Sequence, residues 1–372
     1  MSEFSDKLLA WYQANRRVLP WREDPTPYHV WLSEIMLQQT RVEAVREYYN
    51  RFLIRLPDVQ ALAEAPEDVY LKLWEGLGYY SRIRNLHKAA QMVVEEYGGK
   101  LPQSAEELMK LPGIGRYTSS AIASIAFGQK IPAVDGNLLR IFSRLQSYED
   151  NIKTPAALKE ASSFYLSRMP DAAADETSLD AAAAKNGRPG NSRGDFNQAL
   201  MDLGTAVCLP GSRPACEKCP VAVFCRIHNE KPGREMTLPV MPARKERKVE
   251  PLTVFIIRNG EMTAVRKRPA RGLLAGLYEF PNAKGTLEQD DAVKWLRKHG
   301  VEPLRINKLC SAVHVFTHKE WHMTGYEVRI DPVCGAANHF IMADPQEIRD
   351  KYCIPSAFDA YLACIDPAYR HL

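Results

Sequence analysis

Apolar side chains recur at helical spacing from about residue 5 to residue 170, beginning with a stripe of Leu8, Leu9, Trp11 and Tyr12. A loop at Leu19-Pro-Trp-Arg22 and Asp24-Pro-Thr-Pro27 precedes a helix from about His29 that carries Trp31, Ile35 and Leu37. Thr40-Arg-Val-Glu43 reads as a capping box, so the chain is expected to bend at Gln38-Gln39 and restart at Thr40, with the Gln39 amide exposed. Leu73-Trp-Glu-Gly-Leu-Gly-Tyr-Tyr80 is a second junction, punctuated by glycine and presenting Leu77 and Tyr79. Helices over about 82–97, 116–128, 136–147 and 155–168 complete an all-α bundle. A capping box at Ser104-Ala-Glu-Glu107 opens a short helix to about Lys110, which Pro112 and Gly113 stop.

The pattern then changes twice. Residues 171–194, rich in Ala, Asp, Gly and Asn without periodicity, read as a flexible insertion before helix resumes from Phe196 to Val207. Beyond Leu252, Thr253–Ile257, Met262–Val265, Ala312–Phe316 and Met323–Ile330 read as strands, and Asp290–Lys298 as a helix. The predicted organisation is a helical domain over 1–230, an extended linker over 231–250 and a separate α+β domain over 251–372, without an internal repeat.

Composition narrows this little: 45% hydrophobic and 25% charged residues in 372 describe an ordinary globular chain of two or three domains. A net charge of +4 does not announce a nucleic-acid partner, so any basic footprint must be local. Arg244–Arg268 is the most basic stretch, with eight Lys/Arg against three Glu. Met1–Arg22 lacks an apolar core, and no apolar run reaches membrane-spanning length, so a cytoplasmic protein without a signal peptide is expected. A monomer is expected, with protein partners unspecified.

Chemistry-bearing residues fall in three places. Gly113-Ile114-Gly115 makes a tight turn at the start of a helix, where backbone N–H groups can receive a phosphate. Asp135 follows an extended Pro-Ala-Val and precedes a helix, ordinarily the setting of an N-cap carboxylate, while Glu34 in mid-helix would by default be solvated. Their pairing is what suggests glycosidic chemistry, which needs an acid for the leaving base and an anion beside a sugar turning positive. Such an anion about 4 Å away contributes up to ~4 kcal/mol at an effective dielectric near 20, roughly a thousandfold in rate. Finally, Cys208-x7-Cys216-x2-Cys219-x5-Cys225 gathers four of the eight cysteines into eighteen residues, a spacing for a metal group in a reducing compartment. Zinc usually takes two Cys-x2-Cys knuckles, and only one is present.

Two helices joined by Leu111-Pro-Gly-Ile-Gly115, with an aspartate about twenty residues on, resemble the helix-hairpin-helix DNA glycosylase superfamily that includes endonuclease III. Pro20-Trp-Arg22, Trp31–Arg41, Trp74–Arg82, Val134-Asp-Gly-Asn137 and Phe196–Gly204 are similar, more narrowly, to the adenine DNA glycosylases of the MutY family. In the second domain, Gly272–Pro281 and Val315-Phe-Thr-His318 resemble that family's Nudix-like C-terminal domain. The implied fold is an all-α helix-hairpin-helix domain with a [4Fe-4S] loop, followed by a Nudix-like α+β domain.

The resemblance further implies base-excision repair of duplex DNA: removal of adenine paired with 8-oxoguanine or guanine. Glu34 would protonate the adenine, Asp135 would stabilise the oxocarbenium ion, and Tyr117 and Asn137 would support the sugar and water. Trp21, Arg22, Leu37 and Gln198 would line the pocket for the flipped adenine. Gln39 and Tyr79 would wedge into the vacated stack, Thr40 and Leu77 would lie beside the oxidised guanine, and Gly113 and Gly115 would hold the backbone. Phe316, Thr317 and His318 would recognise 8-oxoguanine, with Thr317 where the family usually has serine.

Bifunctional relatives carry at position 117 a lysine that forms a Schiff base; Tyr117 cannot, so a monofunctional enzyme is expected, although a packing role for this tyrosine stays open. The four cysteines would hold a [4Fe-4S] cluster, with seven residues in a first gap that is six in the family. Either a redox role or the scaffolding of a DNA-facing loop bearing Arg213, Lys218 and Arg226 is compatible with this. Lys284–Lys298 lacks the paired glutamates a Nudix hydrolase needs for Mg²⁺, so the second domain is expected to recognise rather than hydrolyse. The competing readings are a bifunctional endonuclease III-type lyase, opposed by Tyr117, and an inert DNA- or metal-sensing module, opposed by Glu34, Tyr117, Asp135 and Asn137 together.

Overall fold

The computed structural model describes residues 2–171, 191–242, 246–331 and 340–366. It divides into two compact units, Met1–Glu64 with Ser81–Ala243, and Ala65–Tyr80 with Arg244–Leu372. The first unit is helical and the second is built on a sheet.

In the first unit the Glu3–Asn15, Gly136–Gln146, Pro155–Leu166 and Ser192–Ala206 helices surround a core of Phe4, Leu8, Tyr12, Ile141, Tyr165, Phe196 and Leu203. The Leu8, Leu9 and Tyr12 stripe is buried there, as its spacing predicts. Pro27–Met36 starts two residues earlier than expected because Thr26 caps it, accepting from the His29 N–H at 3.3 Å, with Pro27 in the first turn. Ser104 caps its short helix as expected, accepting from the Glu107 N–H.

The capping box at Thr40 does not form. The helix begins at Val42, with Arg41 as N-cap and no side-chain cap bond. The Thr40 hydroxyl instead donates to the Gln38 carbonyl at 3.4 Å and accepts from Arg82 at 3.2 Å. Tertiary donors replaced the local one. Pro20–Glu23, expected as loop, is a helical turn with proline at its start.

Of the segment read as a flexible insertion, residues 172–190 lie outside the described residues, but its end is folded. Asn191 caps the Ser192–Ala206 helix, accepting from the Gly194 N–H at 2.9 Å while its amide donates to the Ser124 and Ile125 carbonyls. A Cβ on Gly194 would sit 2.9 Å from the Ile125 Cα, so only glycine allows this approach.

The second unit carries strands β1 (Lys248–Asn259), β2 (Met262–Lys267), β3 (Tyr278–Glu279), β4 (Asn282–Lys284), β5 (Arg305–Val315), β6 (Lys319–Arg329) and β7 (Ile341–Ala343). Along the sheet the order is β3-β2-β1-β6-β5, with β4 paired to β1 and β7 to β2. Central β1 runs parallel to β6, Leu252 opposite Met323, while β6 and β5 pair antiparallel. Alternate residues of β1 enter two cores. Leu252, Val254 and Ile256 pack with Phe358, Tyr361 and Leu362, whereas Phe255 and Ile257 pack with Ala292, Leu296 and Tyr326. Both faces are therefore covered, by the Asp359–Ile365 and Gln289–Lys298 helices, which explains why β1 is apolar without alternation. β1 already begins at Lys248, inside the stretch read as linker.

Ala65–Tyr80 packs within this second unit. Lys72 Nζ donates to the Ile348 and Tyr352 carbonyls and pairs with Glu75 at 2.5 Å, and Glu75 accepts from the Ile354 N–H at 2.8 Å. Among the described residues no helix is long and apolar enough to cross a membrane.

Candidate active site

A cleft of about 550 Å³ in the helical unit is lined by Trp21, Arg22, Glu34, Leu37, Thr40, Tyr117, Asp135, Asn137, Gln198 and Met201, among others. The structure thus brings together the residues of the expected catalytic set and adenine pocket, from five separate stretches of chain.

Glu34 lies two residues before the end of its helix and is 6% exposed, against the solvated default for a mid-helix glutamate. The Tyr117 hydroxyl donates to Glu34 Oε2 at 2.9 Å. The Glu34 carboxyl is raised to about 7, chiefly by burial with help from the nearby negative Asp135, against the hydrogen bond from Tyr117 and the positive Arg22. Near neutral pH it is divided between acid and anion.

Asp135 does cap its helix, accepting from the Leu138 N–H at 2.8 Å. Its second oxygen accepts from Asn137 Nδ2 at 2.9 Å, and Asn137 Oδ1 in turn accepts from Arg140 at 3.0 Å. Burial raises Asp135 as well, but these donors oppose the rise by stabilising its charged form. The N-cap role and a role in chemistry are compatible, because the cap fixes the carboxylate on the cleft wall. Two carboxyls thus share one cleft in different settings: Glu34 accepts from Tyr117, Asp135 from Leu138 and Asn137.

Two residues that the sequence reading did not single out, Asp202 and Arg140, complete the geometry. Asp202, 2% exposed, accepts from Arg22 at 2.7 Å and from Arg17 at 2.6 Å, which fixes the Arg22 guanidinium at the cleft. Arg140 donates to the carbonyls of Cys208 and Gly204 besides Asn137, tying the Asp135 helix to the cysteine loop. The available signal was a charge embedded among apolar neighbours: Asp202 between Met201 and Leu203, and Arg140 between Leu139 and Ile141.

At the hairpin, Gly113 has φ 80 and a Cβ there would lie 2.7 Å from Asn85 Cβ, so the turn needs glycine. Gly115 is the N-cap of the Arg116–Phe127 helix with no side-chain cap bond and open space around it, the geometry of a backbone anion site. Gln39 is exposed with φ 59.

In the second unit Tyr79, with φ 46, is 45% exposed, and its hydroxyl shares a 2.9 Å hydrogen bond with the Thr317 hydroxyl. Leu77, expected to be presented, is buried at 6% exposure because its glycine-flanked turn folds it inward. Thr317 and His318 are exposed on the β5–β6 hairpin, closed by the Phe316 N–H to the Lys319 carbonyl. Phe316 anchors that hairpin edge-on against Trp321.

The four clustered cysteines line one small cavity in the first unit, among Ile141, Leu145, Leu203 and Val221. Burial pushes Cys219 up to about 12 and Cys225 up to about 11, so as bare thiols they stay protonated. Arg144 donates to Cys208 Sγ at 3.2 Å. Four cysteines lining one cavity, an apolar wall and a donor aimed at one sulfur fit a thiolate-held metal group. Cys216, His228 and Glu235 also have ligand atoms within 4.8 Å of one another. The seven-residue gap is taken up by a turn in which Gly211 has φ 65.

Residues 32–165 match the HhH-GPD superfamily of base excision DNA repair proteins, and residues 253–364 match the NUDIX domain. The fold and the cleft together define a helix-hairpin-helix DNA glycosylase carrying a Nudix-like domain. The chain is 36% identical to the adenine DNA glycosylase of Rattus norvegicus, over 86% of its own length and 69% of that protein. It is 32% identical to that of Buchnera aphidicola subsp. Schizaphis graminum, over 86% of itself and 85% of the relative. A thermostable thymine-DNA glycosylase shares the helical fold at TM-score 0.51 and 27% identity, over 61% of this chain and 95% of that one. The chain belongs to the adenine DNA glycosylase family, hydrolases that cleave N-glycosyl bonds in base excision repair.

Proposed function

We propose that the protein is a monofunctional glycosylase that hydrolyses the N-glycosidic bond of adenine paired with 8-oxoguanine or guanine in duplex DNA. The observation that carries this reading is the buried Glu34 carboxyl, hydrogen-bonded to Tyr117 in the cleft that also holds Asp135. Protonated Glu34 donates to the flipped adenine, making it a neutral leaving group, and as its anion then activates water. Charge builds on the sugar as the bond breaks, and Asp135, kept anionic by Leu138 and Asn137, stabilises the oxocarbenium ion. Trp21, Arg22, Leu37 and Gln198, which line the cleft, enclose the base; Gln39 and Tyr79 fill the vacated stack, and Thr40 lies beside the oxidised guanine. Gly113 and Gly115 seat a phosphate through backbone N–H groups. Phe316, Thr317 and His318 read the opposite 8-oxoguanine.

Tyr117 stands where a lyase needs an amine, so no strand cleavage through an imine is expected. Cys208, Cys216, Cys219 and Cys225 would hold a [4Fe-4S] cluster, which when bound ties the Arg213–Arg226 loop to the helical core. The two domains would run over 1–230 and 251–372, in a monomeric cytoplasmic enzyme.

Single-turnover assays on labelled duplexes test the whole reading. Alkali-revealed cleavage at adenine opposite 8-oxoguanine and guanine, with no borohydride-trapped adduct, is expected; efficient trapping overturns the monofunctional mechanism. Iron and acid-labile sulfide in equal amounts in the purified protein test the cluster, and zinc alone would refute it.

A further inference from the structure

Between Glu34 and Gln39 the helix ends, and its last carbonyls need donors that the helix cannot supply. Leu37 N–H reaches Ser33 and Gln38 N–H reaches Ile35, the latter at a long 3.4 Å. Gln39 then takes φ 59, which an L side chain adopts only when surroundings hold it there. What holds it comes from another helix. Arg82, 8% exposed at the start of the Ser81–Tyr97 helix, donates from Nη1 to the carbonyls of Ile35 (2.9 Å), Met36 (2.8 Å) and Gln38 (2.7 Å). Its Nη2 donates to the Thr40 hydroxyl at 3.2 Å, and that hydroxyl donates back to the Gln38 carbonyl. The Gln38 side chain reaches across to Thr118, the neighbour of Tyr117, at 3.3 Å. One guanidinium thus caps the helix that carries the acid and closes the turn that presents the wedge.

We propose that Arg82 is a positioning residue that couples the two halves of the reaction, holding the Gln39 turn and the Glu34 helix end in one fixed register so that base extrusion delivers adenine to the acid. The proposal rests on the roles given above to Glu34 and Gln39. A guanidinium is required because its planar fork meets four acceptors at once, whereas an ammonium is a point charge on a mobile stem. A merely structural arginine would change the amount of folded enzyme, not the behaviour of each folded molecule.

The experiment uses the full-length protein with Arg82→Lys and Arg82→Gln, and a duplex bearing 2-aminopurine beside the target adenine to report unstacking. Rates are taken per active site by titration, so a poorly folding Arg82→Gln is still read through its folded fraction, and Arg82→Lys keeps the buried charge. Both variants are expected to retain duplex affinity within about threefold, lose most of the fluorescence rise, and excise ~10²-fold more slowly, the penalty of an ångström-scale misplacement. Either variant extruding and excising within about threefold of the native rate overturns the proposal. Glu34→Gln, run alongside, should extrude normally and fail to excise. Normal excision by Glu34→Gln would instead sink the acid assignment, whatever Arg82 does.

Discussion

In the helical unit the charged side chains that matter are hidden: Glu34, Arg22, Asp202, Arg82 and Arg140 are all below one-tenth exposed. In the sheet unit the residues proposed to meet DNA stand in water, with Thr317 and His318 exposed on a hairpin and Tyr79 nearly half so. The hidden set is costly to the fold, since each buried charge must find partners. It supplies what chemistry needs, a carboxyl whose proton affinity is moved toward neutrality and a carboxylate whose field is not screened by solvent. The exposed set supplies shape and hydrogen-bonding groups on an anchored turn. Catalysis is bought with burial, and recognition with display.

Breaking the hidden half should have the largest effect. Asp135→Asn removes the anion proposed to face the sugar while keeping an amide that can still cap the helix, so base release should fall ~10³-fold with duplex binding nearly unchanged. A single-turnover rate near native would refute its role. Glu34→Gln separates function from stability. Native Glu34 stays protonated to about 7, while in the unfolded chain it ionises near 4.5. The folded state therefore holds the extra proton across that window, and stability falls as pH rises through it. Above pH 7 the loss amounts to ~3 kcal/mol, from ~1.36 kcal/mol per pH unit over the gap. Glu34→Gln, free of that loss, should melt at higher temperature than native protein at pH 8 and show no such advantage at pH 4, even though excision collapses. An unchanged melting difference between the two pH values would contradict the buried-acid picture.

The exposed half should break more gently. His318→Ala is expected to reduce the preference for 8-oxoguanine over guanine opposite adenine about tenfold, in line with one lost contact of ~1.4 kcal/mol. The rate on adenine opposite guanine, and the melting temperature, should barely move; an unaltered preference would remove the hairpin from recognition. The smallest effect sharpens the comparison within the cleft. Native excision should decline above pH 7, as Glu34 loses its proton. Tyr117→Phe deletes a hydrogen bond that favours the charged Glu34, so this alkaline limb should shift upward by ~0.5–1 pH unit, about one hydrogen bond's worth. A downward shift would show that Tyr117 acts differently.

Much of this was legible before any coordinates. Helical spacing in the first half and short strand-like runs in the second separated the two halves, and Asp135 was readable as a cap because it stands between an extended stretch and a helix opening at Gly136, where a carboxylate meets the free N–H groups. Gly113 and the four-cysteine spacing were readable because turns and metal groups impose local demands on residue type. Thr40 shows where such reading stops: a good local capping box lost to Arg82, a competitor forty-two residues away in sequence. The short Pro345–Lys351 and Asp359–Ile365 helices gave too few turns for a period to show.

By itself, then, the chain determined its longer helices, its hairpin glycines, its cysteine-rich loop and the identity of the groups able to do acid and anion chemistry, because all of these follow from neighbours within a few residues. Only the tertiary structure decided that Glu34 would be buried against Tyr117 and Asp135 and so hold its proton to about 7. It alone decided that Asp202 would hold Arg22 at the cleft, that Leu77 would turn inward, and that Ala65–Tyr80 would pack with the sheet. The physical reason is that desolvation and charge–charge energies depend on distance through space, which no spacing along a sequence records.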